Sequence, residues 1–252
     1  MLSYIIIYFL GGLLIGSFLN VVIARLDTAE SIVLGSSKCP KCKKPIKWYN
    51  LVPIFSFIFL RGRCADCNEK ISWQYPLVEI ASGLIFILSF ILFGLSWQSV
   101  FTAIILDLML SIVVFDLKEY QVPESLSWLT LILALIGQLA FNINSIGHII
   151  VGAVISGGVI ILLVYLSKGK WMGDGDIKIA IILGLMLGFP VAIFGIFLAF
   201  IIGAVLGSIL LAFKIKKSKD QLPFTPFLLS SLIISLIWGQ QIVDWYLGRY
   251  II

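Results

Sequence analysis

The chain has 252 residues, of which 60% are hydrophobic and only 12% charged, and its formal net charge is +5. A water-soluble domain of this size cannot hide so much apolar surface, so composition excludes a soluble globular protein and points to a multi-span membrane protein. In such a chain the basic excess reports loop topology and not an acidic partner.

Eight apolar runs are predicted to cross the bilayer as helices, over 2–24, 76–96, 98–115, 125–141, 146–166, 177–189, 191–213 and 224–243. Most are close to the ~20 residues that a bilayer requires, and the sixth is short. The first has no basic residue before it and is followed by Arg25, the wrong flank order for a cleaved signal peptide, so it is expected to remain as an anchor.

The segment between the first two runs, 25–75, is the one sizeable polar piece, and it holds all four cysteines. "KCPKCKK" contains Cys39 and Cys42, and "RGRCADCNE" contains Cys64 and Cys67, with 21 residues between the two C-x-x-C turns. Such paired knuckles fit a tetrahedral zinc site, each turn supplying two thiolates. The flanking Lys38, Lys41, Arg61 and Arg63 favour thiolates and offset the charge of a four-thiolate centre. A reducing cytoplasm disfavours disulfides. The zinc is expected to be structural, because a domain this small needs a staple. No aromatic platform interleaves with the basic residues, so they are assigned to topology and no nucleic-acid partner is expected.

Acids at membrane depth are costly and are candidate sites by default. Glu79 opens the second run, Asp107 lies within the third, and Asp116 ends the third. Asp107 and Asp116 are nine residues apart, about half a turn out of phase, so they face different ways. Pro123 restarts the chain before the fourth run, and His148, the only histidine, stands at the start of the fifth. "WMGDGDIKIA" at 171–180 places Asp174 and Asp176 among glycines where the sixth run begins. The stretch 177–213 is too long for one helix, and Pro190 breaks it into the sixth and seventh runs.

With an external N-terminus, this count puts 17 of the 18 basic residues on one side and leaves only Arg249 opposite. That side is the cytoplasm, and both termini are expected outside it. Asp116 and Asp176 then lie at the same cytoplasmic depth on separate helices. Two adjacent carboxylates resist carrying two charges and hold one proton between them. The ionised member can take a proton from attacking water, while the protonated member polarises an amide carbonyl. His148 falls on the far side, remote from this chemistry. The competing assignment is a plain helix start, with Asp174 as N-cap and Asp176 favouring the positive helix end. Gly173 and Gly175 permit unusual backbone angles that let a substrate strand come close.

The chain resembles the type IV prepilin peptidases, the bifunctional leader peptidase and N-methyltransferase family. "GSFLNVVIARL" at 16–26, the paired knuckles, "LRGRC" at 60–64 and "YPLVE" at 75–79 carry the likeness. So do "FDLKEYQVPESL" at 115–126, "GDGDIK" at 173–178 and "PFTPF" at 223–227. The resemblance implies that Asp116 and Asp176 are catalytic and that the four cysteines bind zinc. It implies prepilin or pseudopilin substrates, cut after a short basic leader just before their hydrophobic helix. It further implies methylation of the new N-terminus with S-adenosylmethionine, for which no binding residue is assigned beyond a weak association with Glu79. Asp27, Glu124 and Thr225 depart from the usual proline, aspartate and glycine of the family, and the departures at Asp27 and Thr225 touch only local loop geometry.

The expected architecture is an all-α polytopic protein of the inner (cytoplasmic) membrane, with about eight transmembrane helices in the lipid bilayer. Its parts are a first helix at 1–24, a cytoplasmic zinc domain at 25–75 and a seven-helix protease region at 76–252. The expected function is a membrane aspartic endopeptidase. The alternatives are an ion-coupled transporter using Glu79 and Asp107, and a membrane-tethered zinc module that docks a partner.

Overall fold

The computed structural model describes residues 1–26, 35–141, 145–217 and 221–248, so Asp27, Lys219 and Arg249 lie outside the described residues. The described residues are helical, with no strand longer than isolated bridges. Helix α1 spans Leu2–Arg25, α2 Phe55–Phe59, α3 Gln74–Phe93, α4 Trp97–Glu119 and α5 Glu124–Phe141. Then follow α6 Ile146–Ser167, α7 Asp174–Leu187, α8 Val191–Ala212, α9 Thr225–Ile234 and α10 Gln240–Tyr246, the last two joined by a π-turn at Ser235–Gly239.

Among the described residues, seven helical stretches are long and apolar enough to cross a membrane, the α9–α10 stretch counting as one. The remaining apolar run is α7, whose 14 residues extend about 21 Å. It is shorter than a bilayer core but long enough to be an inner helix of a bundle, and Ile179, Ala180, Ile182 and Leu183 are fully buried. Pro190 stands in the break between α7 and α8.

The chain divides into two compact units, Met1–Ser111 and Ile112–Ile252. In the first, α1 packs along α3 through small residues. A Cβ on Gly12 would lie 2.7 Å from the Gly83 Cα, and one on Gly16 would lie 2.8 Å from the Glu79 Cα. Such backbone approach is how helices associate where lipid removes the hydrophobic drive between them. In the second, α6 and α7 meet the same way, the Gly152 carbonyl lying 2.4 Å from where a Gly184 Cβ would stand.

Candidate active site

The α7 start is built from the stretch Gly173–Asp176. Gly173 is the N-cap, and its N–H donates to the Asp176 carboxylate at 3.2 Å. Asp174 occupies the next position, exposed, without the capping role expected of it. The cap and the candidate catalytic group are therefore one side chain. The other expectation to change concerns the glycines. Gly173 has φ −85°, and neither it nor Gly175 adopts a positive φ, so unusual backbone angles are not their purpose. Gly175 is needed for closeness, because a Cβ there would lie 2.4 Å from the Val122 Cβ. Val122 follows α4 by three residues, so this contact draws the α7 start against the chain segment that leaves Asp116. Lys178 reinforces the junction with an ion pair to Glu124 at 2.5 Å.

Asp116 and Asp176 are both buried and within electrostatic range of each other. Thr225, the first residue of α9 and fully buried, stands between them. Its N–H and its hydroxyl both approach the Asp116 carboxyl. The same hydroxyl donates toward the Asp176 Oδ1 at 3.4 Å, long for O–H···O, as active-site hydrogen bonds often are before substrate tightens them. One hydroxyl carries one proton and cannot donate to two carboxylates. Both contacts become hydrogen bonds when one aspartate is protonated and donates to the Thr225 oxygen, which in turn donates to the other. The geometry thus suits a pair that holds a single proton. Thr225 is the residue underrated from sequence, where it read as a local loop change. The signal was a hydroxyl residue in "PFTPF", at the start of the last apolar run.

The other intramembrane acids have separate partners. Ser82 contacts both the Gly12 carbonyl at 2.7 Å and the Asp107 Oδ2 at 2.6 Å. The Ser82 hydroxyl lies between these two acceptors and joins α4 to α3 and α1. Glu79 accepts the Ile54 N–H at 2.8 Å, with Ser17 beside it. Both acids tie helices and chain segments together. His148 lies at the opposite end of α7, its carbonyl accepting the Phe189 N–H at 2.9 Å. Asp176 is 13 residues earlier, about 20 Å along a helical path.

The four cysteines converge, with all four Sγ atoms within 4.8 Å of one another. The two knuckles repeat one design. Cys39 N–H donates to the Lys44 carbonyl and Lys43 N–H to the Cys39 carbonyl, as Cys64 N–H does to Glu69 and Asn68 N–H to Cys64. Lys43 and Asn68 both take left-handed backbone, at φ 60° and 57°. The Cys39–Cys67 Sγ separation is 3.9 Å. A disulfide requires about 2.05 Å, whereas a tetrahedron with 2.3 Å metal–sulfur bonds has edges of about 3.8 Å. The cluster fits a metal ion. Backbone N–H groups of Cys42 and Lys41 aimed at its sulfur bring the Cys39 thiol down to about 7. The Glu69 N–H favours the Cys67 thiolate, but desolvation and the neighbouring thiols push it up to about 11. Four thiolates need a dication to coexist.

Residues 10–93 match the bacterial peptidase A24 N-terminal domain, and residues 103–208 match the type IV leader peptidase family. A protein of Stutzerimonas stutzeri named prepilin leader peptidase/N-methyltransferase is 32% identical over 273 residues, covering 98% of this chain and 94% of that one. The chain belongs to the type IV leader peptidase family. Proteins of the same name from Xanthomonas campestris and Bacillus subtilis are 33% and 27% identical, covering 94% and 96% of this chain and 92% and 97% of theirs. No solved structure matches the chain significantly. The family and the helices make this a multi-pass membrane protein.

Proposed function

We propose that the chain is an aspartic endopeptidase that removes the leader peptide of type IV prepilins or pseudopilins, with Asp116 and Asp176 as its catalytic pair. The observation that carries this reading is the Thr225 hydroxyl lying within reach of both carboxylates. The ionised aspartate takes a proton from water as its oxygen attacks the scissile carbonyl carbon. The protonated aspartate donates to the carbonyl oxygen. The tetrahedral adduct collapses as the peptide nitrogen accepts a proton from the pair and leaves as the amine of the mature N-terminus. Thr225 holds the two carboxyls in register, and Gly175 lets α7 come close enough for them to meet.

The names of the relatives extend the reading to methylation of that new N-terminus, with S-adenosylmethionine supplying the methyl group. With no strand beyond isolated bridges among the described residues, the donor is not held on a strand followed by a glycine-rich turn. Zinc is the metal that Cys39, Cys42, Cys64 and Cys67 hold, as a structural centre of the 25–75 domain that leaves the 76–252 region to do the chemistry. This domain faces the cytoplasm and both termini lie outside it, in the inner membrane. The ion-coupled reading loses support because Glu79 and Asp107 are engaged in fixed contacts. The docking-module reading does not account for a dyad set among so many spans.

The test is to incubate purified protein with a prepilin and follow mass. Loss of the leader, followed by a gain of one methyl when S-adenosylmethionine is added, is expected. An intact prepilin with well-folded, zinc-loaded enzyme contradicts the proposal.

A further inference from the structure

Beside the second cysteine knuckle, where the chain enters α3, lies an open cavity of about 700 Å³. Its wall is apolar, formed by Phe57, Ile58, Trp73 and Ile80, with the Phe57 and Trp73 rings 4.9 Å apart. Its rim carries three cations, Arg61, Arg63 and Lys70, and among the described residues no carboxylate lines it. The fold builds this arrangement. Ile54 is held at φ 61°, a strained conformation for a β-branched residue, while its N–H is tied to the buried Glu79. Gly62, at φ 67°, turns the chain beneath the Phe57 ring. The cysteine knuckle then pairs Arg63 with Lys70 across an antiparallel bridge.

The charge balance is the informative part. On the same knuckles, Lys41 and Lys44 are paired with Glu69 and Asp66. Among the described residues, Arg61, Arg63 and Lys70 form no ion pair. Three cations without an acidic side-chain partner among the described residues, set around an apolar hollow, call for an anion attached to a hydrocarbon. They disfavour a basic peptide or a sulfonium, for which the rim offers no acid among the described residues. Continuity with α3 supplies the source, since Trp73 and Ile80 stand at the beginning of a membrane-spanning helix. Ile58 and Phe59, 63% and 81% exposed, continue the apolar surface outward.

We propose that this cavity binds an anionic phospholipid from the adjacent leaflet, its phosphate on Arg61, Arg63 and Lys70 and an acyl chain against Phe57, Ile58 and Trp73. The site anchors the metal-binding loop to the membrane surface, independently of the peptidase reading.

The experiment reconstitutes the full chain with phosphatidylglycerol or phosphatidylcholine of identical acyl chains and counts retained lipid by native mass spectrometry. Phosphatidylglycerol should be preferred, and each cation replaced should weaken the preference roughly fivefold. Arg63→Gln with Lys70→Gln should therefore lose it, whereas Arg63→Lys with Lys70→Arg should keep it. Bound zinc reports folding. Should the double glutamine variant lose zinc, Arg61→Gln, outside the knuckle, reads the same change. Equal retention of the two lipids, or full preference in a zinc-loaded glutamine variant, overturns the proposal. Displacement of the lipid by millimolar inorganic phosphate overturns the acyl-chain half of it.

Discussion

Replacing Thr225 by valine removes one hydroxyl while keeping the side-chain shape. Asp116 keeps the backbone N–H of residue 225 beside it, and Asp176 retains the Gly173 N–H at 3.2 Å, so neither carboxyl is left without a neighbouring donor. What is lost is the proton-carrying link between them. Hydrogen bonds to charged groups contribute about 1.5–3 kcal/mol. If that is felt in the transition state, kcat falls roughly 10- to 150-fold. Substrate is held elsewhere, so KM should change little. Thr225→Ser restores the hydroxyl and should recover most of the rate. The assay is steady-state cleavage of a prepilin in mixed micelles, with kcat and KM separated. A valine variant with normal kcat, or a serine variant as impaired as valine, refutes the proton-link argument.

Gly175→Ala should abolish or sharply reduce cleavage, because the added methyl meets the Val122 Cβ at 2.4 Å. Val122→Gly should rescue it while Val122→Ala should not, since the offending atom is the Cβ itself; rescue by neither, measured as cleavage rate, removes the steric explanation. Metal analysis should find one zinc per chain, lost in Cys42→Ser together with the fold of the loop but not of the helices; zinc-free protein with intact thiols, purified without chelators, contradicts the site. A single cysteine at position 43 in a still-inserted variant without the native cysteines should be inaccessible to membrane-impermeant reagent from outside the cell, and labelling there reverses the topology.

The helices were legible because lipid imposes one simple pattern, about twenty apolar residues between polar breaks. Each of the eight predicted runs has a helical counterpart, and Pro190 separates α7 from α8 as expected. The knuckles were legible because their hydrogen bonds close within six residues. Thr225 was not, because its partners lie 49 and 109 residues away, and only the folded bundle brings them together. The same holds for Gly175, whose constraint is the Val122 side chain on another segment. Asp174 and Asp176 were separable only by side-chain direction, which spacing alone does not fix. The cavity at Arg61 and Trp73 had no sequence signature, because Phe57 and Trp73 are far apart in the chain and meet only in the fold.

The central claim is that Asp116 and Asp176 act as one unit. Asparagine keeps the volume and the capping acceptor but cannot carry a proton between water and peptide. The decisive measurement compares prepilin cleavage by Asp116→Asn, Asp176→Asn and the double variant, each checked for insertion and zinc. Asp174→Asn and Asp107→Asn serve as controls that should stay active, the latter because its carboxyl contacts Ser82 and not the dyad. The two single variants should each lose cleavage, and the double should be no worse than either. A folded Asp176→Asn enzyme cutting prepilin at near-normal rate would leave Asp176 as a helix cap and nothing more.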